Sequence, residues 1–316
     1  MNPIEKILTH FPMMILDGAL ATELETHGCH LNDPLWSAKS VNGGATLIKQ
    51  IHTNYFAAGA DCAITASYQA TVEGYKDRAL SEVEAIRLLK ESVHIAVKAR
   101  DDFWSDEENR YGRPKPIVAA SVGPYGAFLA DGSEYRGDYQ VSEDQFVSFH
   151  RERIRLFIEA GAEILACETI PCLKEAKALI RVLKEFPHIY AWVSFSAQDG
   201  VHISSGEKMA DCARWLAKEE QVAAIGINCS APTFIHSLIK EIKSKTAKPI
   251  IVYPNSGEAY DASSKQWNEV LSSQPFSTSA KSWYEAGARI IGGCCRTKPE
   301  DIEQLPIGRV INKYDR

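Results

Sequence analysis

The sequence has no long apolar run. The longest, such as Val222 to Ile227, fall far short of the ~18 consecutive apolar residues of a membrane-spanning helix, so no segment is expected to cross a bilayer. It has no leader pattern either. Lys6 is the only early basic side chain, and the short apolar stretch Phe11 to Leu16 runs straight into Asp17-Gly18 without a small-residue cleavage site, which points to a cytoplasmic protein. Basic charge is not in excess: 35 Lys and Arg against 41 Asp and Glu leave a formal net charge of −6. A mild acidic balance offers no electrostatic footprint to nucleic acid or an anionic membrane. Phosphate-cradling loops of the G-x-G-x-x-G or G-x-x-x-x-G-K-[ST] type are absent, and the nine histidines form no H-E-x-x-H or i, i+4 pair. Hydrolytic zinc chemistry is therefore not suggested.

What is present is an ordinary globular composition, 45% hydrophobic and 24% charged over 316 residues. A chain of this mass buries about three quarters of its surface on folding. Short apolar runs alternate with amphipathic stretches along nearly the whole length, the pattern of repeated βα units on a parallel sheet. The predicted strands are Met13 to Leu16, Cys62 to Tyr68, Ile117 to Val122, Ile164 to Glu168, Tyr190 to Ser196, Ala223 to Asn228, Ile250 to Tyr253 and Arg289 to Gly292. Ser81 with Glu84 and Ser142 with Gln145 fit capping boxes at helix starts. Ala-Gly-Ala recurs at 58–60, 160–162 and 286–288, each time where a left-handed helix end would turn into the sheet.

Eight such pairs predict an α/β protein with one domain, 1–316, forming a single (β/α)8 TIM barrel. A doubly wound open sheet is the alternative, weakened by the missing nucleotide fingerprint. Two segments exceed simple connections, Gly123 to Val141 and Asn255 to Ser279, and in a barrel both lie on the C-terminal face, where active sites form.

Of eight cysteines, Cys29, Cys62, Cys167, Cys172 and Cys212 read as core or loop thiols. Cys229 ends the sixth predicted strand, and Cys294-Cys295 follow Gly292-Gly293 at the end of the eighth. In a barrel those ends lie two positions apart, so three thiols would share one mouth, a soft site for Zn²⁺ with a fourth position open. Two readings compete: small buried hydrophobes, or a redox pair between the vicinal Cys294 and Cys295, which leaves Cys229 unexplained. His27-Gly28-Cys29-His30 lacks a partner cluster and reads as a solvated loop.

Gly292-Gly293-Cys294-Cys295 together with Gly226-Ile227-Asn228-Cys229 resembles the homocysteine S-methyltransferase family. Further blocks carry the resemblance over nearly the whole chain: Ile15-Leu16-Asp17-Gly18, Val122-Gly123-Pro124-Tyr125-Gly126, Leu129 to Tyr135, Ala166-Cys167-Glu168-Thr169 and Tyr253 to Glu258. The stand-alone bacterial and plant enzymes are the nearest in length and motif. The resemblance implies one Zn²⁺ held by Cys229, Cys294 and Cys295, with homocysteine's thiolate at the open position attacking the methyl of a sulfonium donor. It also implies that Asp17 and Glu168 hold the substrate's amino group and that Thr65 touches substrate. The roles of Asn228 and Asn255 stay open.

The betaine-using relatives carry a tyrosine near the zinc in the strand-two segment, where this chain reads Ser67-Tyr68-Gln69. They also carry a C-terminal assembly extension, whereas this chain ends at Arg316, which points to a monomer. No cobalamin or folate module is read in the chain. The expected partners are thus small molecules: homocysteine and S-methylmethionine, with S-adenosylmethionine the weaker donor. A betaine-dependent methyltransferase, a thiol-redox protein and a zinc-storing barrel are the alternatives.

Overall fold

The computed structural model describes residues 1–29, 38, 41–257, 259–261, 266–268 and 274–305. Its strands are β1 (Met14–Ile15), β2 (Cys62–Ile64), β3 (Ile117–Val122), β4 (Ile164–Ile170), β5 (Ala191–Phe195), β6 (Val222–Asn228), β7 (Ile250–Tyr253) and β10 (Ala288–Ile291), with a small hairpin of β8 (Ala259–Asp261) and β9 (Gln266–Asn268) inserted after β7. The eight strands outside the hairpin pair in parallel in the order β1-β10-β7-β6-β5-β4-β3-β2. A parallel bridge between Leu16 and Cys62 joins the two ends of that order, so the ring closes. The (β/α)8 barrel expected from the sequence is the fold.

Alternation along the strands explains how the ring is filled. One set of positions, including Ala120 and Val122, Leu165 and Cys167, Ile225 and Ile227, packs outward under the helices. The alternate set, Met14, Ala119, Ala166, Trp192, Ala224, Ile251 and Ile290, forms a separate inner cluster, closed from below by Ile4 and Ile7 of the helix Pro3–Leu8. Side chains two residues apart share a face. Continuing the inner set upward gives Ser121, Glu168, Ser194 and Asn228, so the same face that is apolar at the barrel's base becomes polar at its C-terminal mouth.

Both predicted capping boxes form, Ser81 with Glu84 and Ser142 with Gln145. The three Ala-Gly-Ala turns place Gly59, Gly161 and Gly287 at φ +108, +93 and +131, the region that favours glycine. Strand two is shorter than expected, ending at Ile64 and not at Tyr68, because beyond it the Thr65 and Ser67 hydroxyls engage the Ser121 backbone. Strand four runs longer, to Ile170. No helix among the described residues is long and apolar enough to cross a membrane. His30, Glu258 and residues 306–316 lie outside the described residues, as does much of the 255–279 segment.

Two glycine substitutions separate conformational strain from steric exclusion. A Cβ at Gly59 meets nothing within 4 Å, so Gly59→Ala is expected to cost about 1–2 kcal/mol of left-handed strain. At Gly226 the Cβ would overlap the Ile251 carbonyl of the neighbouring strand, and no rotamer relieves a backbone contact. Thermal unfolding should show a far larger fall for Gly226→Ala than for Gly59→Ala.

Candidate metal and substrate site

Adjacent strand ends gather the thiols. β7 lies between β6 and β10, and the segment after it bonds to both sides: Cys229 N–H donates to the Tyr253 carbonyl at 3.2 Å, Cys294 N–H to the Pro254 carbonyl at 2.8 Å, and Ser256 N–H to the Cys295 carbonyl at 3.0 Å. The ligand sulfurs of Cys229, Cys294 and Cys295 consequently all lie within 4.8 Å of one another. Thiolates bound tetrahedrally at ~2.3 Å from zinc stand ~3.8 Å apart. The Cys229 and Cys295 sulfurs are 3.8 Å apart. Hydrogen bonding from the other two thiols draws the Cys229 thiol well below its ordinary pKa, so the cluster favours at least one thiolate. Such a cluster fits a soft divalent metal and leaves room for a further ligand.

The backbone around the trio is held in uncommon conformations. Thr169, Cys229 and Arg296 adopt φ +58, +48 and +69, each at or next to a candidate site residue. A β-branched residue at positive φ is a strained arrangement that its surroundings must impose. Asn228 imposes it here. Its Oδ1 accepts from Thr169 N–H at 2.7 Å and from Ser194 Oγ at 2.8 Å, while its Nδ2 donates to Thr169 Oγ1 at 2.8 Å. The asparagine whose role the sequence leaves open thus fixes the ends of β4 and β6 together.

Two acids face the same mouth. Asp17 follows β1 and accepts from Ile64 N–H at 2.8 Å. Burial, with the nearby charge of Glu168 adding to it, holds its carboxyl well above the usual range. Glu168, in β4, accepts from the Ser121 hydroxyl, and burial pushes its carboxyl up to about 7. Thr65 is more committed than the sequence suggests. Ser67 Oγ spends its proton on the Ser121 carbonyl at 2.9 Å, so Thr65 is the donor in their 2.6 Å contact, and Thr65 also accepts from Ser121 N–H at 3.0 Å. One lone pair of Thr65 is left for a ligand.

The long loop after β3 adds residues to which the sequence motifs assign no role. The Tyr135 hydroxyl lies 3.1 Å from Cys229 Sγ. Its neighbour Glu134 has a carboxylate oxygen that is out of solvent and without a hydrogen-bond partner, and burial pushes this carboxyl up to about 7. Gln69 is turned to this loop, donating to the Ala127 carbonyl at 3.2 Å. Tyr68 lies near Thr169, Glu134 and Cys229, and burial, with the charges of Glu134 and Cys229, pushes its hydroxyl well above its ordinary pKa. Asn255 N–H donates to the Ser230 carbonyl at 3.1 Å, while its buried Oδ1 has no hydrogen-bond partner. Of the remaining thiols, Cys62, Cys167, Cys172 and Cys212 are buried away from the trio, and Cys29 is half-buried against the core.

Comparisons with known proteins agree with this geometry. The homocysteine S-methyltransferase family profile matches residues 14–306. Homocysteine S-methyltransferase YbgG of Bacillus subtilis is 63% identical over 305 residues, covering 96% of this chain and 97% of the relative. Homocysteine S-methyltransferase 1 of Arabidopsis thaliana is 46% identical, covering 92% and 91%. The crystal structure of the metallated homocysteine methyltransferase MmuM from Escherichia coli superposes with a TM-score of 0.86 at 44% identity, covering 96% of this chain and 99% of that one.

Removing the clamp on the strained backbone should be felt at the thiols. Asn228→Ala retains all three cysteines but deletes three hydrogen bonds beside Cys229. Its metal affinity, measured by competition with a chromophoric chelator, is expected to fall about 10–100-fold, as when ligand-orienting neighbours are lost in other metal sites.

Proposed function

Because the chain belongs to the homocysteine S-methyltransferase family and is an enzyme of that activity, we propose that it methylates homocysteine with S-methylmethionine, using a Zn²⁺ held by Cys229, Cys294 and Cys295. S-adenosylmethionine is the weaker donor in this reading. The observation that carries it is the convergence of three thiols at tetrahedral ligand spacing. Metal dependence is also supported by the metallated form of MmuM. When bound, the metal supplies an open coordination position that lowers a substrate thiol's pKa from about 8.5, so that a nucleophile forms at neutral pH without a dedicated base.

The remaining work falls to the protein. Homocysteine presents an ammonium, and Asp17 and Glu168 supply the carboxylates to hold it. Both belong to rigid strand ends, which suits a group that must fix the distance between the amino acid head and the reacting sulfur. In this reading Glu134 and Tyr135, on the β3 loop, face the donor, and its sulfonium charge pairs with the Glu134 carboxylate; the support is the buried, unpartnered Glu134 oxygen beside a tyrosine 3.1 Å from Cys229 Sγ. In the reaction the homocysteine sulfur forms a bond to the methyl carbon as the donor's sulfur–methyl bond breaks. The bonding pair stays on the departing sulfur, which becomes neutral. With S-methylmethionine both products are methionine. No proton need be delivered to the leaving group, so alignment of sulfur, methyl and sulfur is the protein's main contribution.

The acids impose a pH dependence. Glu168 titrates near 7 against an ordinary 4.5, so its contribution to the stability of the free protein is full below about pH 4.5 and is lost as pH rises through about 7. Pairing with an ammonium requires the carboxylate, so homocysteine binding should strengthen over the same rise. Titration calorimetry from about pH 6 to pH 8 should find part of that slope removed in Glu168→Gln; an unchanged slope would exclude Glu168 as the amino-group partner.

The proposal as a whole is tested by parallel assays of homocysteine methylation with S-methylmethionine, S-adenosylmethionine and betaine. S-methylmethionine should give the highest kcat/KM, and a preference for betaine would overturn the donor assignment. Cys294→Ser should lose the metal and at least about a thousandfold in activity, consistent with removal of the activating group. Full activity in that variant would end the metal-site reading.

A further inference from the structure

We propose that Glu175, which does not touch the thiol site, is a positioning residue for methyl transfer: it latches the loop after β3 so that Glu134 and Tyr135 stand against Cys229. The inference rests on the cysteine trio being the site of methyl transfer.

Glu175 lies in the first turn of the helix Leu173–Leu183 and is wholly buried. An acid in a helix's first turn ordinarily faces water or the helix's own amides. This one points outward to the loop. Its Oε1 accepts from Tyr125 N–H at 2.6 Å and its Oε2 from the Tyr139 hydroxyl at 2.6 Å, so one carboxylate holds both the entry and the exit of the 123–141 segment.

The proton arrangement behind it is determined by the donors. Arg153 Nη2 carries two hydrogens; one goes to the Gly123 carbonyl and the other to His150 Nδ1 at 2.8 Å. His150 Nδ1 is therefore an acceptor, and its Nε2–H donates to Glu175 Oε1 at 2.9 Å. The imidazole is neutral, in keeping with burial and the Arg153 charge lowering its pKa to about 4. A buried guanidinium and a buried carboxylate are thus linked through a neutral ring, and the guanidinium also lies 4.8 Å from the centre of the Phe149 ring. Removing one member leaves the other charge buried and uncompensated, so the arrangement acts as a unit.

Among the described residues, the side-chain hydrogen bonds that leave this unit end on the loop: the Gly123 carbonyl, Tyr125 N–H and the Tyr139 hydroxyl. Tyr125 and Tyr139 also pack edge-on at 5.6 Å and both meet Phe146, which stiffens the base of the loop. From that base the segment folds back tightly, Gly126 leaving no space for a Cβ against the Glu134 backbone. Its tip meets the barrel through Ser196 Oγ donating to the Glu134 carbonyl at 3.0 Å and the Tyr135 contact with Cys229 at 3.1 Å, and the latch at the base holds the segment from which both contacts are reached. The groups proposed to hold homocysteine sit in or just after strands, whereas those proposed to face the donor sit on this loop. Loosening the latch should therefore affect one substrate and spare the other.

The test uses the zinc-loaded enzyme and two variants, Glu175→Gln and Tyr139→Phe. Amide hydrogen exchange across residues 125–137 should quicken by about tenfold or more while the barrel strands keep their protection. The KM for S-methylmethionine should rise about fivefold or more with the homocysteine KM within about twofold of wild type and zinc content unchanged. Unaltered exchange in the loop, or a loss confined to the amount of active enzyme with both KM values unchanged, would overturn the latch. If Glu175→Gln fails to fold, Tyr139→Phe decides, since it removes a single hydroxyl at the loop's exit. Should Cys294→Ser retain activity, the thiol site fails instead, and the exchange rates still decide separately whether Glu175 holds the loop.

Discussion

One stretch of backbone, Tyr253 to Ser256 at the end of β7, holds the three thiols together. Cys229 arrives from β6 and Cys294-Cys295 from β10, more than sixty residues apart in sequence, yet each is tied to that stretch by a main-chain hydrogen bond. Those bonds require β7 to lie between β6 and β10 in the right register. Side-chain positions at the mouth inherit the precision of the parallel ladder, which suits a site that must set sulfur positions to tenths of an ångström. Gly226, Gly292 and Gly293 serve the same end. At each of them a Cβ would collide with a neighbouring strand, with Leu16 and Asp17, or with Thr297.

The mouth built on that frame is electrostatically unusual. It collects three thiols and the carboxyls of Asp17, Glu134 and Glu168, and burial raises the pKa of all three acids. A site so rich in potential anions is suited to cations: a divalent metal among the sulfurs, an ammonium against the strand acids and a sulfonium on the loop side. The two substrates proposed here carry those charges. In the proposed reaction, methyl transfer would turn the sulfonium into a neutral thioether and remove its attraction to the loop carboxylate.

Much of this is legible in the sequence. Apolar runs separated by amphipathic stretches mark eight strands, and a barrel built from them turns the thiols at the ends of the sixth and eighth into one mouth. What cannot be read depends on contacts between distant segments. Glu134 and Tyr135 lie inside a recognisable block, but nothing in their spacing shows that a loop after β3 reaches Cys229 on β6. Asn228 reads as one more polar residue at a strand end until its amide is seen to hold Thr169 in a left-handed conformation. No motif singles out Glu175, whose contacts with both ends of the β3 loop exist only once helix and loop are packed together. Strand two reads too long because Thr65 and Ser67 look like strand residues, while their hydroxyls in fact pair with the backbone of β3 and end the ladder.

If three cysteine sulfurs hold a metal whose remaining position receives the substrate thiol, the metal's neighbours must change when homocysteine binds. X-ray absorption at the zinc edge, on enzyme with and without homocysteine, tests it most directly. Three sulfur neighbours at about 2.3 Å are expected in the free enzyme and a fourth on adding homocysteine, in place of a lighter ligand. Three sulfurs that stay three when homocysteine is saturating would contradict it, and would describe a barrel that stores zinc without using it.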